Sequence, residues 1–452
     1  MTATQDLRAV IDSGMCIACG ACCAADRSLS LSLDPERQIY QPTGVGAAEA
    51  ASVCPAIEVD YEALHDFVFD RPATGPLGLI DSVFLAQSTD EGRNRRASSG
   101  GLIKEVIRYL LASDTVDGVI SIAHDEGLEY PARLIRAPDE VDLLPGSIYH
   151  NINLQSALDL IESEDKRLGL VAIPCQLEGI YNYISKRRPG LRQRVVFSVG
   201  LICAWQYTRH SIQAMARYEG VDPETISDVS YRGGDMIGKL RLQIGQQKEL
   251  EIDRRSSLNY QIAFDRYFNT PRCNVCVNHL NFLADLVVGD SWIQSTRFSR
   301  TGISIALART NAATDALLDM QKRGQVVVHQ VSEEELIESE GESLVFGEFA
   351  YSFADYLRSR GLHAPRLRGP NRGYGKPKAI HEIASFHRKL SRRQRLMAQG
   401  RYRTIWWRKV LLEGHRILFR YLRWFVNRAL RLKRLTGRDR RLDRDELMAK
   451  FR

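Results

Sequence analysis

Cys273 and Cys276 form a C-x2-C pair at the head of the stretch CNVCVNHLNFLADLVVGDSW. Thiolates at that spacing supply half of a metal or iron–sulfur site, since both reach one metal or neighbouring irons. Another half is then required. Outside the N-terminal region the chain has two more cysteines, Cys175 in AIPCQLEGI and Cys203 in VGLICAW, each closing an apolar strand-like run. Four thiols gathered at strand mouths would suit a buried [4Fe–4S] centre. Taken singly, Cys175 and Cys203 read equally well as small buried hydrophobes; the C-x2-C pair shifts the balance toward ligands.

A second pattern lies near the N-terminus. SGMCIACGACCAAD gives C-x2-C-x2-C at Cys16, Cys19 and Cys22, and Cys54-Pro55 follows. Two-cluster bacterial ferredoxins carry C-x2-C-x2-C-x3-C-P, with the fourth cysteine ligating the other cluster. Here Asp26 stands where the first run's fourth cysteine would fall, and the second run survives only as Cys54-Pro55. The two losses match: the cluster held by Cys16, Cys19, Cys22 and Cys54 is kept and its companion is gone. Cys23 is left over, either a spare thiol or the true third ligand.

RNRRASSGG, residues 93–101, joins an expected strand to an expected helix. Small residues let the backbone approach a ligand, and a helix N-terminus offers free N–H groups to an anion. By itself SSGG reads as an ordinary capped turn; beside the cysteines it becomes a candidate phosphate contact. No Walker A motif occurs, and no G-x-G-x-x-G follows a strand.

These residues need elements to hold them. At 452 residues and 44% hydrophobic, the chain can bury two or three cores, at about 150 residues per domain. Residues 1–75 read as a small ferredoxin-like [4Fe–4S] domain in which LSLSLDPERQIYQP makes a hairpin. PATGP at 72–76 reads as a linker. The body then alternates: strand at 80–87, helix at 102–112, strand at 118–123, helix at 154–162, strand at 168–173, helix at 176–185 and strand at 195–202. Residues 226–270 are more strand-like, with two strands round a glycine-rich turn, and 283–330 return to alternation. This rhythm predicts an α/β (α+β) fold: an α/β body in two parts, 76–225 and 226–375, with a largely covered sheet.

Residues 376–452 change character and form a basic helical tail. From Phe386 to Arg452 there are 22 Lys+Arg against 5 Asp+Glu, whereas the rest of the chain has more acid than base. Ile405, Trp406, Leu412, Ile417, Phe419, Leu422, Trp424 and Phe425 fall among the arginines at near-helical spacing. Such a helix can pack on its own protein or lie on an anionic membrane surface; no nucleic-acid module is recognisable, so no nucleic-acid partner is expected. Nine cysteines in two clusters suit cofactors in a reducing compartment rather than disulfides. MTATQDLRAVIDSGM has no basic n-region followed by an apolar h-region, so no secretory signal is expected, and no apolar run approaches 18 residues. The expected location is cytoplasmic, with peripheral contact at the inner membrane surface as an option for the tail.

In order, CIACGACC…CP, RRASSGG, IPCQLEGI, VGLICAW, SYRGGDMIGKL and CNVCVNHLNFLADLVVGDSW together resemble the coenzyme F420 hydrogenase/dehydrogenase beta-subunit family, over about residues 10–330. Its members include F420-reducing subunits of hydrogenases and formate dehydrogenases, and ferredoxin-dependent reductases of chlorophyll precursors. The resemblance implies a noncovalent FAD, an N-terminal [4Fe–4S] cluster and a second cluster near the flavin, carried by Cys175, Cys203, Cys273 and Cys276. Ser98, Ser99, Gly100 and Gly101 would then contact the FAD phosphates, with Gln176 and Asp290 in the flavin neighbourhood. Among Tyr231, His279 and Asp290 no proton donor can be chosen from sequence.

Three functions remain on these readings. The leading one is an oxidoreductase passing electrons between a ferredoxin-like donor, two clusters, FAD and an organic acceptor. The alternatives are an F420-reactive subunit of a larger complex and a non-catalytic iron–sulfur docking module.

Overall fold

The computed structural model describes residues 3–44, 48–233, 238–246, 248–293, 296, 302–370, 373–375 and 378–411. LGLVA at 168–172 and VVFSVGL at 195–201 are near-continuous apolar runs, as strands covered on both faces must be. They lie at the centre of a sheet built from β1 (Ser82–Ser88), β2 (Gly118–Ile122), β3 (Ala132–Ile135), β4 (Leu168–Ala172), β5 (Val195–Leu201), β6 (Leu286–Asp290), β7 (Ser304–Ala308) and β8 (Val326–Val331). The spatial order is β8-β1-β7-β6-β5-β4-β2-β3. β2, β4, β5 and β6 run parallel, and antiparallel strands flank them on both sides. The fold is therefore mixed α/β, with β1 on one side of residue 226 pairing with β7 and β8 on the other.

Helix α1 (Leu102–Ala112) buries Leu102, Val106, Ile107 and Leu110, spaced for one helical face against this sheet. α2 (Pro174–Arg187) follows β4 directly, with Pro174 in the first turn where its missing N–H costs nothing. α3 (Glu333–Ser359) starts at a capping box: Ser332 Oγ accepts from Glu335 N at 3.3 Å, and Glu335 Oε2 accepts from Ser332 N at 3.0 Å. α4 (Ile380–Ala398) closes the larger unit, which spans Met1–Gln399; Gly400–Arg452 form a second unit. In that unit residues 402–411 are helical. The tail positions Leu412, Ile417, Phe419, Leu422, Trp424 and Phe425 lie outside the described residues. Among those described, no helix is long and apolar enough to cross a membrane.

The N-terminal lobe contains the expected hairpin, Ser30–Asp34 against Ile39–Thr43. A link that sequence did not reveal is parallel pairing of Glu58–Asp60 with Arg366–Arg368. Residues 226–253 form three antiparallel strands, one more than expected.

Arg309, fully buried, ties the segment after PATGP to the cysteine-rich loop. Its guanidinium donates to the carbonyls of Leu77, Leu79, Leu280 and Asn281. Arg309→Met strands these acceptors, at ~1–3 kcal/mol for each left unpaired. A clear fall in the urea midpoint is expected, and an unchanged midpoint would mean that water replaces the guanidinium.

Candidate iron–sulfur and flavin-type site

All five N-terminal cysteines are buried: Cys16 and Cys19 on the loop that enters the short helix Ala21–Ala25, Cys22 and Cys23 within it, and Cys54 just after the helix Ala48–Ser52. Burial, and next the charge of Cys22, push the Cys16 and Cys19 thiols up; burial and Cys22 likewise raise Cys54, to about 12. Cys22 is thus the neighbour that acts on Cys16, Cys19 and Cys54. Cys23 lies beside Cys22, with the two sulfurs 3.9 Å apart, and is wholly buried.

The inner four are drawn from separate elements. Cys175 sits in the first turn of α2, Cys203 follows β5, Cys273 lies within a turn of 3-10 helix, Pro271–Val275, and Cys276 caps its end. Enclosure raises each thiol, and Cys203, Cys273 and Cys276 add to the rise at Cys175. Cys273 Sγ lies 3.2 Å from Gln206 N and 3.0 Å from Thr270 Oγ1, donors suited to a thiolate. Thiols enclosed in this way, with Cys175, Cys203 and Cys276 raised further by neighbouring cysteines, stay protonated unless a metal centre takes their charge. Both sets fit that requirement. No three described His, Cys, Asp or Glu side chains converge as on a single ion; a cubane takes one thiolate per iron and needs no such convergence.

One helix touches both sets. Gly179, one turn after Cys175, lies so close to Cys19 that a Cβ there would be 2.3 Å from its Sγ.

A cavity of about 1230 Å³ opens at the carboxyl ends of β2, β4, β5 and β6, where open α/β sheets bind ligands. Cys203 lines it, as do Ser98, Ser99, Gly101, Gln176, His279 and Asp290. Gly101 caps α1 with φ 77°, a left-handed conformation that suits glycine, and the first turn of α1 borders the cavity. Ser98 Oγ accepts from Ser147 N at 2.9 Å. Gly100 serves packing instead: a Cβ would lie 2.5 Å from Ala86 O, and its N–H donates to Ser304 Oγ at 3.1 Å. Gln176 Oε1 accepts from Ile173 N at 3.0 Å, which fixes its side chain at the head of α2. Tyr231 is not brought to the cavity wall; it is buried against His150, with its hydroxyl 2.6 Å from Nδ1.

Sequence reasoning missed two of the cavity's cations and one acid. Arg232 donates to Asp290 Oδ2 at 2.6 Å, and Arg266 stacks 4.8 Å over Trp205 and 5.0 Å over Phe346. Glu340 on α3 is buried on the same wall; burial, with Asp290 adding to it, raises its carboxyl to about 7. The signal for Arg232 was in SYRGG, whose glycine turn follows a strand. Nothing local marks Arg266 or Glu340.

The chain matches two models of one family: "Coenzyme F420 hydrogenase/dehydrogenase, beta subunit N-term" over residues 83–159 and the corresponding C terminus over 165–334. It is 21% identical over 407 residues to a coenzyme F420-dependent sulfite reductase of Methanocaldococcus jannaschii, covering 83% of this chain and 59% of that relative. It is 26% identical over 239 residues to a coenzyme F420 hydrogenase subunit beta of Methanococcus voltae, covering 50% of this chain and 79% of the relative. The fold is similar to that of a chain in the F420-reducing [NiFe] hydrogenase complex from Methanosarcina barkeri, at TM-score 0.50 and 17% identity, covering 66% of this chain and 99% of that one. Cysteine motifs, fold and family models agree: the chain belongs to the coenzyme F420 hydrogenase/dehydrogenase beta-subunit family.

Proposed function

We propose that this chain is an iron–sulfur electron-transfer subunit that reacts with coenzyme F420 inside a larger oxidoreductase assembly. The observation that carries this reading is α2, which presents Cys175 to the inner thiols, Gln176 to the cavity and Gly179 to Cys19. Cys16, Cys19, Cys22 and Cys54 hold an outer [4Fe–4S] cluster; Cys175, Cys203, Cys273 and Cys276 hold an inner one. F420 is preferred to an unspecified organic acceptor because relatives are named as F420 hydrogenase, dehydrogenase and sulfite reductase proteins. This favours the complex subunit over a stand-alone, ferredoxin-fed reductase.

When bound, the clusters supply one-electron transfer and a flavin-type ring supplies two-electron exchange. The protein binds and orients. Arg232, held by Asp290, and Arg266, held against Trp205 and Phe346, neutralise anionic groups of a ligand in the cavity. FAD is a second occupant favoured by one observation: the start of α1, with Ser98, Ser99 and Gly101, lines the same cavity as Arg96 and Lys104, a setting suited to a phosphate.

A partner's approach is supported at the outer lobe. Ile383 and Leu390 of α4 share a core with Cys16, Cys22 and Cys54, while Arg388, Lys389, Arg392 and Arg395 are exposed on that helix. Such a stripe complements an acidic carrier or subunit.

The test is anaerobic. Protein with full iron is mixed with reduced viologen and F420, and loss of the oxidised F420 chromophore is followed. No reaction with F420, from a chain carrying both clusters, would remove this reading. Arg232→Met is expected to raise KM for F420 by about 10–100-fold with kcat nearly unchanged, as for loss of a hydrogen bond to a charged group worth ~1.5–3 kcal/mol. A fall in kcat alone would place Arg232 outside ligand binding.

A further inference from the structure

Two carboxyls on the cavity wall have different surroundings. Asp290 ends β6 and holds an ion pair, with Arg232 Nη1 2.6 Å from its Oδ2. Glu340, on α3, is 5% exposed and lines the same cavity. Among the described residues its carboxyl makes no ion pair and one hydrogen bond, which Oε1 accepts from Ser339 Oγ at 2.9 Å. Ser339 Oγ in turn accepts from Trp292 N at 3.1 Å, tying α3 to the chain just past Asp290. The reading above gives Asp290 a task, holding Arg232, and leaves Glu340 without one.

A carboxyl shut from water and given no cation keeps its proton to higher pH. Burial raises Glu340, the Ser339 hydroxyl tempers that rise and the charge of Asp290 adds to it, leaving the group at about 7. Other charges stand near. Glu338 and Glu342 share α3 and line the cavity, as do Arg254, Arg255 and Arg266. Glu342 acts on Arg266. Arg272, on the 3-10 turn packed against α3, is committed to Glu178. Of the charged groups described, Asp290 is the one that acts on Glu340. An acid poised near neutral pH on the wall of a ligand cavity is suited to proton transfer.

We propose that Glu340 is a catalytic acid of this cavity, handing a proton to a flavin-type ring as the electron pair arrives. This rests on the F420 reading above. Reduction of such a ring takes two electrons and two protons. The clusters supply the electrons. Glu340 supplies one proton, its O–H bond breaking as an N–H bond forms on the ring, and water supplies the other. The carboxylate left beside Asp290 regains a proton from water before the next turnover. Ser339, pinned by Trp292 N, holds Oε1 and leaves Oε2 for the transfer.

Two readouts on the anaerobic full-length chain test this, with iron assayed on the same samples. The first is infrared spectroscopy without F420. A protonated-carboxyl C=O band that fades between about pH 6 and 8 is expected, and Glu340→Gln removes it. Absence of any band that depends on Glu340 overturns the proposal and leaves the F420 reading intact. The second is kcat for F420 reduction by reduced viologen, compared between wild type and Glu340→Gln at each pH. The wild type is expected to be ~100-fold faster at about pH 6 and only a few-fold faster at about pH 9, where Glu340 has lost its proton. KM for F420 stays within about twofold. A ratio that is near one, or that does not change with pH, overturns the proposal. Wild-type chain with both clusters and no F420 turnover refutes the F420 reading, and this proposal with it. Should Glu340→Gln lose iron, Ser339→Ala decides. It keeps the carboxyl but removes a donor to its ionised form, so the band and the fall in kcat move up by about one pH unit; no movement overturns the proposal.

Discussion

Cys175→Ala is expected to lower iron from about eight to about four per chain, with acid-labile sulfide falling in step, while the N-terminal cluster signal persists. The thiol stands in the first turn of a rigid, buried helix, so no neighbouring cysteine can slide into its place. Cys203, Cys273 and Cys276 remain, but three thiolates leave one iron without its protein ligand. Reduction of F420 should then fall at least a hundredfold, because the cavity borders the inner set at Cys203. Unchanged iron would refute the inner four-cysteine assignment.

Gly179→Ala acts on the same helix and should damage the other cluster. Its new Cβ would stand 2.3 Å from Cys19 Sγ and 2.6 Å from Cys19 Cβ. Neither helix nor loop can yield easily, since Gly179 and Cys19 are both buried. Overpacking of this kind costs ~1–3 kcal/mol, against a gain of ~1 kcal/mol from replacing a helical glycine by alanine. The strain falls on a ligand, so about four irons should be lost from the outer site and the inner signal retained. Gly190→Ala is the control, because a Cβ there meets nothing within 4 Å. If Gly179→Ala keeps full iron and its outer signal, the two sets are less tightly coupled through α2 than this packing implies.

Local pattern made part of this molecule legible. LIKEVIRYLLA announced α1, and β4 and β5 followed from apolar runs bounded by Gly, Pro and charged residues. The cysteine spacings singled out two groups of four, which the fold does gather into two neighbourhoods. What local pattern could not encode was pairing between distant segments. That β1 borders β7 and β8 depends on partners more than 200 residues away, and no periodicity reports them. Likewise SSGG suggested four equivalent ligand contacts, whereas packing against Ala86 O commits Gly100 to the sheet. Arg266 and Glu340 reach the cavity from a loop and a long helix whose own sequences read as ordinary surface.

The core round the outer cysteines also has a bearing on biogenesis. Cys16, Cys22 and Cys54 pack with Phe353, Ala354, Leu357, Ala364, Ile383 and Leu390. Synthesis at ~5–20 residues per second leaves on the order of tens of seconds between the emergence of the ligands and that of their cover. During that interval the thiols are open to oxidants and to scaffold proteins alike. On the cluster assignment proposed above, maturation of the outer centre is expected to be a late event, on the ribosome or after release. A chain cut short before residue 353 would keep Leu7, Val10, Ala50 and Val275 around these thiols but lack the cover of Phe353, Ala354, Leu357, Ala364, Ile383 and Leu390.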